Sequence, residues 1–181
     1  MSVAASGVVI ADAGPLIGLA RIGQLDLLPQ LFGRVTVTSF VADEVLAGGT
    51  FADQALLQAA FAQDWLVVVP MDDLGPHAWH VLCRDLMSLH QIDMGEASAM
   101  VLAQQWRDEQ AKSVLLLIDD HRGRQAALHC AVATMGTAGL LVLAKQTGRI
   151  AAIKPLLLAL RQAGYFLSDR LIQAVLLQAG E

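Results

Sequence analysis

Residues 8–20 read VVIADAGPLIGLA, and this stretch decides the fold class. The four apolar residues 8–11 contain no polar position, which predicts a short buried strand that ends at Asp12. Pro15 then suits the first turn of a helix, because proline lacks the amide hydrogen that this position would leave unpaired. A buried strand followed directly by a helix is typical of a parallel sheet covered by helices.

The same alternation of strands and helices continues along the chain. Further strands are predicted at residues 34–38, 65–69, 114–118 and 132–135. Helices are predicted at 16–20, 25–31, 39–46, 51–62, 76–89, 93–110, 122–130, 137–146, 153–163 and 169–178, with Gly48-Gly49 ending one of them and Pro76 opening another. The pattern predicts an α/β protein, a three-layer α/β/α sandwich with a central, mostly parallel sheet. We expect one domain over residues 1–181, with 153–181 as C-terminal helices packed on it.

Composition excludes several classes of protein. Of the 181 residues, 55% are hydrophobic and 16% are charged, which excludes a disordered chain and suggests that some apolar surface meets a partner. Two cysteines are too few for a disulfide scaffold and indicate a cytoplasmic protein with reduced thiols. Residues 126–144 are long and apolar enough to suggest a membrane span, but their glycines, threonines and changing pattern favour a helix end, a buried strand and a second helix. We therefore expect no membrane partner.

Charge is distributed unevenly along the sequence. Residues 1–120 carry 15 acidic and 5 basic residues, whereas residues 121–181 carry 2 acidic and 7 basic residues. Chance could produce this asymmetry. Alternatively, a carboxylate site lies beside a basic surface that could hold an anionic polymer.

Carboxylates stand where a parallel sheet would carry a site. Asp12 and the pair Asp119-Asp120 follow predicted strands, and ligands bind at the carboxyl ends of such strands. Glu44 and Glu96 lie in apolar helices; Glu44 could simply be solvated, and Glu96 could be the capping-box partner of Asp93. Carboxylates that converge there would repel one another unless a cation such as Mg²⁺ or Mn²⁺ lay between them. Spacing does not separate Asp119 from Asp120.

The order of motifs resembles that of PIN-domain proteins and is similar to the VapC-type toxin ribonucleases, within a PIN-like branch of bacteria and archaea. The resemblance extends over about residues 8–178. The matching pieces are IADAGPLIGLARIGQLDLLPQLFGRVTV, VADEVLA, IDMGEASAMVLA, LLLIDDHRGRQAA, MGTAGLLVLAKQTGRI and KPLLLALRQAGYFLSD. The sequence departs from the family at Ala13-Gly14, where small hydroxyl residues are common.

The resemblance implies a metal-dependent endoribonuclease, the toxin of a type II toxin–antitoxin pair. Its catalytic acids would be Asp12, Glu44, Glu96 and Asp120, and its metal ligands Asp12, Glu96, Asp119 and Asp120. The implied cofactor is Mg²⁺ or Mn²⁺, which would activate water to cut RNA. The implied partners are RNA and an antitoxin protein; the excess of apolar residues suggests a homodimer.

Four residues of the second half are candidates for substrate binding. Arg122, Arg124 and Lys145 could contact phosphate, although Arg122 and Arg124 could equally lie on a solvated helix face, and Lys145 could favour a helix C-terminus. Thr137 could offer its hydroxyl or backbone amide to a phosphate, or serve as an N-cap.

Two other functions compete with a nuclease, and one metal site is disfavoured. The chain could be a catalytically silent PIN-fold binding or assembly module, or a receiver-like phosphoacceptor domain with Asp12 or Asp120 as acceptor. His77, His80 and Cys83 lie on one predicted helix, which rarely supplies a complete zinc site, so we do not expect zinc there.

Overall fold

The computed structural model describes residues 7–47, 51–74, 78–110 and 113–181. Its strands form one parallel sheet in the order β3-β2-β1-β4-β5. These strands are β1 (Val8–Ala11), β2 (Val35–Thr38), β3 (Leu66–Val69), β4 (Val114–Leu117) and β5 (Ala133–Met135). The predicted parallel sheet is confirmed.

Helices connect every pair of consecutive strands. They are α1 (Ala13–Arg21), α2 (Leu27–Phe32), α3 (Ser39–Ala47), α4 (Phe51–Phe61), α5 (Ala78–His90), α6 (Met94–Gln110), α7 (His121–His129), α8 (Thr137–Gln146), α9 (Lys154–Gln162) and α10 (Asp169–Ala179), with a 3-10 helix at Met71–Leu74. The predicted elements are present with ends moved by a few residues, except that the 3-10 helix was not predicted. The predicted boundaries at Gly48-Gly49 and Pro76, and the candidate ligand His77, lie outside the described residues.

Alternating side chains of the strands build two cores, one on each face of the sheet. Val9 and Ala11 face a cluster with α1–α4 and α8–α10, whereas Ile10 faces a second cluster with α5, α6 and α7. Strand β4 divides in the same way, with Leu117 in the first cluster and Leu116 in the second. The result is the three-layer α/β/α sandwich that the sequence predicts.

The C-terminal helices belong to the first of these cores. Leu157 and Leu160 of α9 and Val175 of α10 are buried there. The carboxylate of Glu181 accepts from Lys145 Nζ at 2.8 Å and from the backbone amides of Ile153 and Lys154 at 2.6 and 3.0 Å. These bonds fasten the end of the chain to α8 and to the start of α9. In the described ranges no helix combines the length and apolar character needed to cross a membrane.

The strand order reverses direction at β1, and this positions the site. β1 lies between β2 and β4, and its residues pair in register with β4 from Val8↔Val114 to Ala11↔Leu117. Neighbouring connections therefore leave β1 and β4 in opposite directions and open a crevice at their carboxyl ends. Asp12 and Asp119-Asp120 follow these two strands.

The same strand order excludes one alternative function. Receiver domains have the order 2-1-3-4-5, in which the chain crosses to the other side of β1 after the second strand. Here it crosses only after the third, giving 3-2-1-4-5. The receiver-like interpretation is therefore wrong.

Candidate active site

Asp12 is fixed by the junction between β1 and α1. Its backbone amide donates to the carbonyl of Leu117 at 2.9 Å, which continues the sheet by one residue. Its side chain caps α1, with Oδ2 accepting from the amide of Gly14 at 3.5 Å. Only 7% of Asp12 is exposed. The sequence therefore places a nearly buried carboxylate at the switch point of the sheet.

Glu96 is held by a reciprocal capping box at the start of α6. Its amide donates to Oδ1 of Asp93 at 2.9 Å, and the amide of Asp93 donates to Oε2 of Glu96 at 3.1 Å. The other oxygen, Oε1, is buried without a hydrogen-bond partner in the described structure. A Cβ atom placed on Gly123 would lie 2.6 Å from this oxygen. An unpaired buried carboxylate oxygen is costly, and it indicates a position where a cation would be favoured.

A buried chain of hydrogen bonds ties α3 to α6. Ser98 Oγ donates to the carbonyl of Gly95 at 2.8 Å, so the 2.7 Å bond between Ser98 Oγ and Thr38 Oγ1 uses the Thr38 proton. Thr38 Oγ1 accepts in turn from the amide of Val41 at 3.2 Å. The start of α3 is thereby fixed against the start of α6. Glu44, which lies one and a half turns into α3, consequently faces the acids of α6.

Gly95 lies at the centre of this arrangement. A Cβ atom placed on it would lie 2.7 Å from Oε2 of Glu44, 3.3 Å from Oδ1 of Asp93 and 3.7 Å from Oδ1 of Asp12. Carboxylates from β1, α3 and the start of α6 therefore approach one backbone position that has no side chain. The convergence that the sequence left open is present in the structure.

Asp119 and Asp120 have different surroundings. Asp120 caps α7, and its Oδ1 accepts from the amides of Arg122 and Gly123 at 2.7 and 3.0 Å. Asp119 is directed to α8, where Oδ1 accepts from the amide of Thr137 at 2.7 Å and Oδ2 from its hydroxyl at 2.5 Å. Both oxygens of Asp119 are thus occupied by the start of α8, whereas Asp120 remains beside Glu96.

The acids form one wall of an open cleft of about 440 Å³, which we call the acidic cleft. It is lined by Asp12, Gly14, Glu44, Gln91, Asp93, Glu96, Asp120 and Arg122. Arg122 is the single basic residue in this lining, and its Nη1 donates to the carbonyl of Gln91 at 3.5 Å. The cleft therefore carries a strong excess of negative charge.

Burial and mutual repulsion perturb three of these acids. Burial, followed by the charges of Glu96, Glu44 and Asp93, raises the pKa of Asp12 to about 7 in total, against a backbone hydrogen bond that lowers it. Burial likewise raises the pKa of Glu96 to about 7, with contributions from Asp93, Asp120 and Glu44. The pKa of Glu44 is raised by burial and by Asp93. Clusters of acids with raised pKa values occur at functional sites, where a bound ligand compensates for the repulsion between the charges.

The chemistry of the donor set fits a divalent cation. The cleft offers carboxylate oxygens, which are the ligands that Mg²⁺ and Mn²⁺ prefer, and one of them is buried and unpaired. With the side chains as they stand, no group of three or more acidic, histidine or cysteine residues in the described ranges is arranged to hold an ion. Rotations of Glu44, Asp12 or Glu96 would be required to bring the oxygens around one.

The four candidate substrate residues are dispersed. Arg122 lines the acidic cleft, whereas Arg124 and Thr137 line a neighbouring groove together with Asp119. Lys145 lies at the opposite end of α8 from Thr137, roughly 12 Å along the helix axis. Its ammonium group is bonded to Glu181. The structure does not bring Lys145 to the cleft.

Sequence reasoning did not identify two residues of this region. Asp93 was interpreted only as an N-cap, yet it lines the cleft and shifts the pKa values of Asp12, Glu44 and Glu96. Because Asp93 lies three residues before Glu96, on the same side of the helix start, its place in the cleft could have been predicted. Tyr165 donates its hydroxyl hydrogen to the carbonyl of Gly14 at 2.7 Å, across 151 positions of sequence, and no local signal predicts that contact.

Comparison with known proteins gives one result. Curated proteins contain no match to this sequence. A protein-family model described as PIN domain matches residues 8–181, which includes every strand and helix described above. The match extends over nearly the whole chain, and the chain belongs to the PIN-domain family.

Proposed function

We propose that this protein is a metal-dependent endoribonuclease that hydrolyses RNA phosphodiester bonds at the acidic cleft. PIN domains are in general nucleases, and the chain belongs to that family. The single observation that carries the proposal is the convergence of Asp12, Glu44 and Asp93 around Gly95, in a cleft that Glu96 also lines. A fold gains nothing from carboxylates that raise one another's pKa values unless a ligand compensates for the repulsion.

The acids of the cleft bind the cation. Asp12, Glu96 and Asp120 hold Mg²⁺ or Mn²⁺, with Glu44 completing the set. When bound, the cation supplies an activated water and neutralises charge that develops on the phosphoryl group. Asp119, whose oxygens are both bonded to Thr137, instead fixes α8 beside the cleft.

The remaining polar residues position the substrate and the acids. Arg122 stands at the rim of the cleft, where its guanidinium can bind a phosphate in two-point contact. The capping box keeps Glu96 in place by one oxygen and leaves the other buried without a hydrogen-bond partner. Glu44, which lines the cleft and is exposed to solvent, can orient a water molecule there through its carboxylate.

Cleavage of a mixed substrate panel tests the proposal. The panel contains tRNA, ribosomal RNA fragments, mRNA and single-stranded DNA, each incubated with Mn²⁺, Mg²⁺ or EDTA. Asp12→Asn is the inactive variant, since asparagine still caps α1 but removes the charge. Asp64→Asn, an exposed position remote from the cleft, is the matched control. Cutting that requires metal, is lost in Asp12→Asn and is kept in Asp64→Asn is the expected result.

The opposite result would favour the silent module. If folded protein cuts nothing in any metal, the acidic cleft is not a nuclease site. Titration of Mn²⁺ into the same protein then shows whether the cleft retains cation binding.

We further propose that the nuclease is the toxin of a type II toxin–antitoxin pair and acts as a homodimer. The support is the resemblance to VapC-type toxins and a set of exposed apolar side chains on α5 and α7 that a partner would cover, namely Val81, Leu82, Leu89 and Leu128. Induced expression should arrest growth for the wild type and not for Asp12→Asn. Monodisperse monomer without a co-expressed partner would contradict this part of the proposal.

A further inference from the structure

A second cavity, of about 260 Å³, lies beside the acidic cleft between the start of α8 and the C-terminal helices. We call it the aromatic groove. Residues that line it include Asp119, Arg124, Thr137, Tyr165, Phe166 and Leu171. Its wall is mostly apolar, with one cationic side chain.

Gly14 separates the aromatic groove from the acidic cleft. A Cβ atom placed on Gly14 would lie 3.7 Å from Oδ2 of Asp12, which lines the cleft, and 3.5 Å from Cβ of Asp119, which lines the groove. The hydroxyl of Tyr165 bonds to the carbonyl of the same glycine. A substrate strand that passes over the cleft can therefore continue directly into the groove.

Phe166 is presented to solvent by a segment that is fixed on both sides. It is 93% exposed, the largest exposed fraction among the large apolar side chains of the described structure. The preceding residue, Tyr165, is anchored by two hydrogen bonds. Its hydroxyl donates to the carbonyl of Gly14, and its backbone amide donates to the carbonyl of Leu160. The carbonyl of the following residue, Leu167, accepts from Arg161 at 3.2 Å. Phe166 is thus held outward at the groove by its neighbours.

Arg124 supplies the charge. Its Nη1 would lie 3.2 Å from a Cβ atom on Gly136, at the N-terminus of α8. Within the described part of the chain its guanidinium has no hydrogen-bond or salt-bridge partner, so it is available to a phosphate. An exposed aromatic ring beside an unpaired cation is the combination by which proteins bind single-stranded nucleic acid.

We propose that the aromatic groove is a nucleobase subsite for the substrate strand, in which Phe166 stacks on a base and Arg124 binds the adjacent phosphate. The inference rests on the proposed function, because it assigns the substrate of the acidic cleft as single-stranded. A mostly apolar wall suits the face of a base and does not suit a bare phosphate. The stack would place one nucleotide beside the cleft and hold the strand for cleavage.

Binding without cleavage tests this subsite separately from the nuclease activity. Fluorescein-labelled oligo(A) and oligo(U) RNA of about eight nucleotides, within the span that such binding sites cover, are titrated with Asp12→Asn protein in EDTA, and anisotropy is recorded. In this background Phe166→Ala should weaken binding about 5- to 150-fold, since stacking contributes roughly 1–3 kcal/mol per base. Phe166→Trp should restore it. Leu177→Ala, at another highly exposed apolar side chain, is the control and should change nothing.

Two further readouts distinguish stacking from a structural role. The preference for oligo(A) over oligo(U), expected because purines stack more strongly, should disappear in Phe166→Ala and persist in Leu177→Ala. Arg124→Gln should weaken both oligonucleotides equally and reduce the dependence of affinity on salt.

The outcomes separate this proposal from the proposed function. If Phe166→Ala binds RNA with wild-type affinity, the subsite proposal is wrong, even if the enzyme cuts RNA. The groove would then be a candidate binding site for a protein segment. Absence of any RNA binding by Asp12→Asn also overturns it. Phe166-dependent binding by a protein that never cuts supports the subsite and contradicts the nuclease.

Discussion

Asp93 and Glu96 cap each other at the start of α6, and this reciprocal pair decides which oxygen of Glu96 is hydrogen-bonded and which is left unpaired. The amide of Asp93 occupies Oε2 at 3.1 Å, and Oε1 stays buried without a partner. A motif that is common at helix ends therefore also positions a charge in the acidic cleft. The local structure and the proposed chemistry use the same two side chains.

Substitutions at Asp93 should separate its two contributions. Asp93→Ala removes the bond to the Glu96 amide, so it should lower the free energy of unfolding by about 1 kcal/mol. Asp93→Asn keeps an accepting oxygen but removes the charge that raises the pKa values of Asp12, Glu44 and Glu96. In EDTA at pH 8 it should match or exceed the wild type in urea unfolding. Equal destabilisation by both variants would contradict this account.

Stability without metal should fall as pH rises from 5 to 8. Asp12 and Glu96 have pKa values raised from 3.8 and 4.5 to about 7, so the folded state favours their protonated forms. That stabilisation is complete below the unfolded pKa values and is lost as pH rises through 7; for Asp12 alone it is roughly 4 kcal/mol at most. Thermal unfolding in EDTA at pH 5, 6, 7 and 8 measures it.

Two controls accompany the pH series. Asp12→Asn should flatten the dependence, because one of the acids with a raised pKa is gone. Mn²⁺ should raise the Tm more at pH 8 than at pH 5, since a cation binds the ionised carboxylates. Glu181, whose pKa is lowered to about 2, stays ionised over this range and does not contribute. A Tm in EDTA that is constant from pH 5 to 8 would refute the electrostatic description of the cleft.

Gly95→Ala should reduce activity while preserving the fold. The new methyl group would lie 2.7 Å from Oε2 of Glu44, the far end of a flexible side chain that can move away. Alanine also favours a helix over glycine by about 0.5–1 kcal/mol, so stability should stay level or rise. Displacement of Glu44 should lower the rate of RNA cleavage at least about tenfold, given how strongly catalysis depends on placement.

The control for Gly95→Ala is Asp64→Asn. Asp64 is exposed and lies outside the lining of both the acidic cleft and the aromatic groove. Cleavage by this variant should equal that of the wild type. If Gly95→Ala cleaves RNA normally, Glu44 has no catalytic task.

Tyr165→Phe should destabilise the protein by about 0.5–1.5 kcal/mol, because it removes one hydrogen bond to the Gly14 carbonyl and keeps the ring.

Gly18→Ala should lower the free energy of unfolding by about 1–3 kcal/mol, since its methyl group would lie 3.0 Å from Tyr165 Cζ inside a packed contact. Chemical denaturation of both variants provides the comparison. Because the two substitutions affect one contact, their combined effect should be smaller than the sum of the single effects.

Hydrophobic periodicity and capping residues were enough to predict the fold class and the local setting of each acid. Buried strands such as Val8–Ala11 and helix starts such as Asp93–Glu96 are encoded within a few residues, by hydrophobic period and by capping side chains. Because parallel strands end at one edge of a sheet, Asp12 and Asp119-Asp120 could be expected near each other before any coordinates. Residues 126–144 were also divided correctly into the end of α7, β5 and the start of α8, but the strand, expected to be buried, is exposed at Ala133 and only partly buried at Thr134 and Met135.

Which side chains contact one another depends on tertiary packing and could not be predicted from the sequence. Sequence spacing does not distinguish Asp119 from Asp120. In the structure Thr137, at the start of α8, donates hydrogen bonds to both carboxylate oxygens of Asp119, whereas Asp120 lines the acidic cleft. Lys145 is separated from the cleft because α8 points it toward Glu181. Tyr165 reaches Gly14 across most of the chain. These contacts depend on how whole helices are oriented, and that orientation is set by the packing of two cores and not by the local pattern of residues.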